Sequence, residues 1–210
     1  MLILAADTSL PVLSVALLRD DAILGAVSLE GKGSRNEKLL PAIDWLLREC
    51  GIERMAIDLF ASTRGPGSFT GVRIGLATLQ GLALVMDKPV CAMPTHDAIL
   101  WAAGEPQGRS VVVDDAGRGE FYTTAFDGPL TLEGPRLSSS DDRARLIASG
   151  REIYVPDAAQ SVNVAVGCAR RTLAIARRGD LERWSDITPL YVRLAEAEVK
   201  LQQGNDSPSR

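Results

Sequence analysis

The sequence predicts an α/β protein built as two lobes, and three observations carry that expectation. The chain opens with three apolar, β-branched runs, LILAADTS, VLSVALL and AILGAVSLE, separated by the turns Leu10-Pro11 and Arg19-Asp20-Asp21; such tight spacing reads as an antiparallel meander. Alternating strand and helix patterns follow, which extend a sheet in parallel. Half a chain later the opening layout returns. SVVVDDAGRGEFYTTAF repeats LILAADTSLPVLSVALL as an apolar strand ending in aspartate, a polar turn and a second apolar strand, the trace a duplicated fold unit would leave.

After the meander, Ser34 with Glu37 three residues on forms a capping-box signature. Leu39, Ile43, Leu46, Leu47 and Cys50 then share one helical face, Gly51 marks a stop, and Pro41 is expected to kink the helix over 35–50. Residues 57–62 read as a short strand. The loop RGPGSFTG leads into a helix over 71–86, closed by Asp87-Lys88-Pro89, and Val90 to Met93 forms the next strand. In the second half the pattern predicts a helix over 98–103, strands over 110–114 and 120–126, a helix over 141–149, a short strand over 153–155 and a helix over 163–178. The polar tail from Gln202 reads as disordered. This divides the chain into a first lobe, 1–100, a smaller second lobe, 101–201, and a tail, 202–210.

Composition narrows the function. Of 210 residues 46% are hydrophobic and 24% charged, the balance of an ordinary globule with a core of its own. Cys50, Cys91 and Cys168 form no CxxC pair, which argues against a metal knuckle and fits a reducing compartment. The apolar start is cut short at Asp7, and the run 74–86 is interrupted by Gln80 and too short for a bilayer. Neither a leader nor a membrane span is expected, and a cytoplasmic location is. A net charge of −4 makes the chain a poor nucleic-acid binder by itself. His96 is the single histidine and no dense acidic cluster accompanies it, so no metal is expected; after Pro94-Thr95 it reads as a helix cap. Arg170, Arg171, Arg177, Arg178 and Arg183 read as a solvated helix face rather than a nucleic-acid stripe.

The loop at 64–71 has two readings. Gly65 and Gly67 permit unusual backbone torsions, Ser68 or Thr70 can cap the following helix, and a helix N-terminus can hold an anion. No GK[ST] follows, so a tight strand-to-helix turn is favoured over a phosphate cradle. The helix beyond has small residues four apart, Gly71 with Gly75 and Ala77 with Gly81, which would let another helix approach closely. Val72, Ile74, Leu76, Leu79, Leu82, Leu84 and Val85 cover nearly every face. A helix apolar all round must be buried: one side can take the sheet, the other the helix at 35–50 or a second chain.

RGPGSFTGVRIGLATLQGLA resembles the signature of the TsaB (YeaZ) family, and ILAADTS, RNEKLLP, DDAGRGEFY and PLYVR stand in matching order, so that the resemblance covers about residues 2–193. It implies an actin-like ATPase (ASKHA) fold of two RNase-H-like lobes, the second reduced. It also implies a non-catalytic scaffold and activator that pairs with TsaD for threonylcarbamoylation of the adenosine next to the tRNA anticodon. TsaE is a further partner, a homodimer is expected, and tRNA is reached only through the complex. No cofactor is expected on this chain; ATP and metal belong to partner subunits. The partner surface falls on the two first-lobe helices, with Arg35, Leu39, Ile43, Leu46, Gly71, Arg73, Gly75, Thr78 and Leu82 as candidates. The chain departs from the family at Arg35, where members commonly carry histidine, and at DAGRGE, where DARMGE is common. The alternative is a small actin-like kinase or ATP-binding protein acting alone. Its nucleotide or anion site would use Asp7, Thr8, Ser9, Gly65, Gly67, Ser68 and Asp115, residues that the resemblance instead makes turn formers.

Overall fold

The computed structural model describes residues 1–30, 35–102, 104–148, 152–154, 163–181 and 187–193. The opening runs form β1 (Leu2–Asp7), β2 (Leu13–Arg19) and β3 (Ala22–Leu29), an antiparallel meander in which Ala5 faces Ala16. The strands β4 (Leu59–Thr63) and β5 (Val90–Met93) extend it in parallel, giving the order β3-β2-β1-β4-β5. Every residue of β1 is buried, because helices cover both faces of the sheet. Leu2, Leu4 and Ala6 point to α1 (Arg35–Glu49) and α2 (Phe69–Met86). Ile3 and Ala5 point to α3 (Thr95–Ala102) and α5 (Val164–Arg178). The two-residue period of a strand therefore feeds two separate cores.

The second sheet has the order β8-β7-β6-β9, from β6 (Arg109–Gly117), β7 (Glu120–Asp127), β8 (Leu130–Ser138) and β9 (Glu152–Tyr154). Its own core is small: Val111, Val113 and Ala125, with Phe121 and Leu146 of α4 (Ser140–Ala148). Val112 and Phe126, on the other face, join the core beneath α3 and α5.

Several expectations are corrected. β8 was not foreseen, because Gly134-Pro135 interrupts its run; proline is admissible there since β8 is an edge strand with a shifted register against β7. The helix α1 runs continuously through Pro41. A boundary at residue 100 misplaces α5: this helix packs on β1, β2 and β4, in the first lobe's core. The helix α2 begins at Phe69, and its 18 residues make it long and apolar enough to cross a membrane by length and composition. Gly71, Val72, Gly75, Leu76, Leu79 and Ala83 are nonetheless buried, so α2 is a core helix of the first sheet. Ser34 and the tail 202–210 lie outside the described residues.

Candidate functional site

Two regions hold the candidate residues: the outer face of α1 and α2, and the cleft between the sheets. On the first, helical periodicity separates side chains the sequence could not separate. Leu39, Ile43 and Leu46 are at most 4% exposed and belong to the core, so they are corrected from interface to interior. Gly71 and Gly75 are corrected as well. A Cβ on either would collide with Thr8, with its carbonyl oxygen and its hydroxyl respectively, so these glycines admit the β1–β2 turn rather than another helix. Thr78 and Leu82 are half-buried and Arg73 is exposed. Arg35 opens α1, but its side chain lies outside the described residues.

The outward residues are ones the sequence reading missed. Leu40 and Trp45 on α1 and Leu84 and Val85 on α2 are 51%, 48%, 66% and 85% exposed. Between the helices runs a groove of about 690 Å3, floored by Leu4 and Phe60 and walled by Pro41, Leu47, Leu82 and Met86. Part of the signal lay in the glycines: positions facing Thr8 mark the inner side of α2 and Leu84 falls opposite, whereas Val85 lies on the flank beside Leu82 and Met86.

In the cleft, the odd residues of β1 continue to Asp7, fully buried at the strand end. Its Oδ1 accepts from the backbone N–H and hydroxyl of Ser9 and from the hydroxyl of Thr63. Its Oδ2 has no partner among the described residues. Burial raises the Asp7 carboxyl above the usual range, against those hydrogen bonds. The Ser9 hydroxyl also meets that of Thr95, 3.0 Å away. Across the cleft burial raises Asp114 to about 7, opposed by the Asp115 N–H and assisted by the charges of Asp7 and Asp115. Asp115 accepts from the Gly117 N–H within its own turn.

The glycine-rich loop is filled by the protein itself. A Cβ on Gly65 would sit 2.5 Å from the Leu190 carbonyl oxygen, and one on Gly67 2.6 Å from that of Ser9. Thr8 donates its hydroxyl to the Gly71 carbonyl, and Ser68 caps α2 by accepting from the Gly71 N–H. Gly65, Gly67, Ser68, Thr8 and Ser9 thus build a packed turn, which corrects the anion-cradle candidate. His96 is corrected too. It does not cap α3 but lies buried within it, with Nδ1 2.7 Å from the Thr124 hydroxyl of β7, and burial lowers it to about 3. Of the α5 arginines, Arg170 and Arg171 are partly buried against the chain, while Arg177 and Arg178 stand on an exposed face as expected. Arg170 donates to the Ala102 carbonyl, Arg171 lies over Trp101 and near Asp97, and Arg177 pairs with Asp21. Arg183 lies outside the described residues.

A pH dependence follows. Asp114 has a folded value near 7 against an ordinary 3.8, so between these limits the folded chain holds more protons than the unfolded one. Its contribution to stability therefore falls as pH rises through that range. Burial places Asp97 at about 6, against the charges of Arg171 and Arg64, and it acts in the same direction. His96 opposes both, losing stability as pH falls below 6.5. Asp114→Asn removes one component: the variant will exceed the parent in stability by on the order of 2–4 kcal/mol at pH 8, with the difference vanishing toward pH 4, in urea unfolding followed across pH.

Among the described residues no group of three or more histidine, cysteine or acidic side chains could hold a metal ion. A model of the family described as TsaD: tRNA N6-adenosine threonylcarbamoyltransferase matches residues 32–144. The chain is 33% identical over 126 residues to the tRNA threonylcarbamoyladenosine biosynthesis protein TsaB of Bacillus subtilis, covering 60% of this chain and 55% of that one. It is 39% identical over 122 residues to the protein of the same name from Haemophilus influenzae, covering 57% and 51%. The chain thus spans about half the length of these curated relatives. The solved structure of YeaZ from Pseudomonas aeruginosa superposes with a TM-score of 0.73 at 24% identity, covering 90% of this chain and 99% of that one. The fold is therefore the actin-like arrangement of two RNase-H-like sheets. With more than half of its 210 residues matched by the family's model, the chain belongs to the family of the tRNA N6-adenosine threonylcarbamoyltransferase TsaD, and within it to the TsaB (YeaZ) members.

Proposed function

We propose that this chain is a non-catalytic subunit of a tRNA threonylcarbamoyladenosine-forming assembly in the cytoplasm, and that it activates a TsaD-type partner by docking through the outer face of α1 and α2. The observation that carries this reading is the exposed apolar surface of the two helices: Leu40 and Val85 line an open groove between them, and Trp45 and Leu84 stand exposed on the same helices outside its lining. Exposed apolar surface of this kind marks an interaction site. TsaE joins the assembly, ATP and metal sit on partner subunits, tRNA is reached through the complex, and the same face serves self-pairing. Reconstitution tests the reading. TsaD and TsaE with this chain will modify tRNA and will lose most of that activity without it; equal activity in both mixtures would end the proposal.

The cleft weighs against a lone kinase. Asp7 spends one oxygen on Ser9 and Thr63, and burial of Asp114 disfavours its charged form, a poor beginning for holding a magnesium nucleotide. Titrating the isolated chain with ATP and magnesium in a calorimeter will give no binding that depends on Asp7 or Asp115.

A further inference from the structure

At the N-terminal end of the outer face of α2 stands a cluster outside the exposed apolar surface. The Arg73 guanidinium lies 3.9 Å from the centre of the Phe69 ring and 5.6 Å from that of Tyr191. The two rings stack at 4.8 Å, and Arg73 Nε donates to the Tyr191 hydroxyl at 2.6 Å. We propose that Arg73, braced by Phe69 and Tyr191, is a preformed receptor for an aspartate or glutamate side chain of the docked partner protein. This rests on the docking reading above and names the polar group that reading lacks.

Three features carry it. First, the cluster is continuous with the docking stripe: Arg73, Ala77, Gly81 and Leu84 are exposed and follow one another at three- or four-residue spacing along α2. A partner element lying along this exposed stripe of α2 reaches Arg73 at its end.

Second, the guanidinium is held while its binding edge is spare. Among the described residues only Nε is engaged, which leaves the Nη groups to donate in parallel to a carboxylate. The Tyr191 hydroxyl accepts from Nε, so its own proton is available to the same anion.

Third, the brace does not wait for a partner. Tyr191 is fixed on both sides by its own chain: Leu190 donates its N–H to the Arg64 carbonyl at 2.6 Å, and Arg193 binds Glu120 and the Ala116 carbonyl of the second sheet. An arginine already immobilised loses little side-chain freedom on binding, the condition under which a rim charge becomes an anchor. A phosphate is the less fitting anion. Surfaces that hold nucleic-acid backbones gather several cations, whereas this chain has a net charge of −4 and the stripe beyond Arg73 is apolar.

The test is calorimetric binding of the intact chain to purified TsaD-type partner, at low and high salt, with thermal melts confirming that each variant is folded. Arg73→Met will weaken binding about 10-fold or more and flatten its salt dependence. Arg73→Lys will restore only a small part, because an ammonium cannot bridge two oxygens. Tyr191→Phe keeps the stacked ring and removes only the hydroxyl, and will produce a smaller loss of the same kind. Leu84→Asp serves as the control for docking itself. If Leu84→Asp abolishes binding while Arg73→Met stays within about twofold of the parent, the carboxylate anchor is wrong and the docking face stands. If neither change matters, both are wrong. Arg73-dependent binding of ATP or of tRNA to the chain alone, without partner, would also overturn the assignment in favour of a phosphate.

Discussion

Replacing Gly167 by alanine will lower the stability of the fold by about 3 kcal/mol or more, the upper range for overpacking a core. Gly167 lies where α5 crosses α3 with backbone against backbone. A Cβ there would overlap the Ala98 carbonyl oxygen and sit 2.6 Å from Ala102 N and 2.9 Å from its Cα. Neither helix can give way cheaply. α3 is tied at its start, where the Thr95 N–H donates to the Gly65 carbonyl at 2.8 Å and His96 meets Thr124 of the second sheet. α5 is tied to the first sheet, where the Ala165 N–H donates to the Ser14 hydroxyl at 3.0 Å. The extra methyl must therefore separate elements that belong to both sheets at once. Gly81 provides the contrast: nothing lies within 4 Å of the Cβ it would gain. Gly81→Ala is expected to raise stability by about 0.5–1 kcal/mol through helix propensity alone. Urea unfolding of the two variants reads both signs, and a Gly167→Ala protein as stable as its parent would show that α3 and α5 are not so closely packed.

These glycines also show where legibility stops. The order of strands and helices through α2 could be read from apolar periodicity and turn residues, since the meander, the glycine-rich turn and α2 follow one another with local signals. The second lobe was read with one strand missing, because a proline in an edge strand looks the same in sequence as a proline in a loop. What a glycine faces is not local information. Gly71, Gly75 and Gly81 share a spacing, yet Thr8 from 63 positions upstream fills the space beside Gly71, while Gly81 looks into solvent. For the same reason the sequence could nominate α1 and α2 as the partner helices and still choose their inward residues: an apolar helix does not reveal which leucines its own chain covers. Ile187 of a distant segment, 5% exposed, joins that core, and no pattern within either helix announces it.

That distinction decides which substitution tests the docking face. A bulky residue at Gly75 would press on the Thr8 hydroxyl and disturb the β1–β2 turn, so a loss of pairing would report damage to the fold. Changing Leu84 and Val85 together to aspartate carries no such ambiguity. Both side chains are largely in solvent, and surface changes of this kind alter folding free energy within about 0.5 kcal/mol. The effect on binding is of another order. Burying Leu40, Trp45, Leu84 and Val85 gains roughly 1.5–3 kcal/mol for each side chain fully covered. Association itself costs on the order of 4–15 kcal/mol, so the contact has little surplus to lose. The double variant removes two of the four apolar groups and would bury two unpaired carboxylates against the partner. Binding to a TsaD-type partner is expected to fall by more than about 100-fold, with the melting temperature unchanged and self-association, measured by sedimentation, lost in parallel. A folded double-aspartate protein that still binds its partner with parental affinity would mean that the groove between α1 and α2 is not where the partner sits.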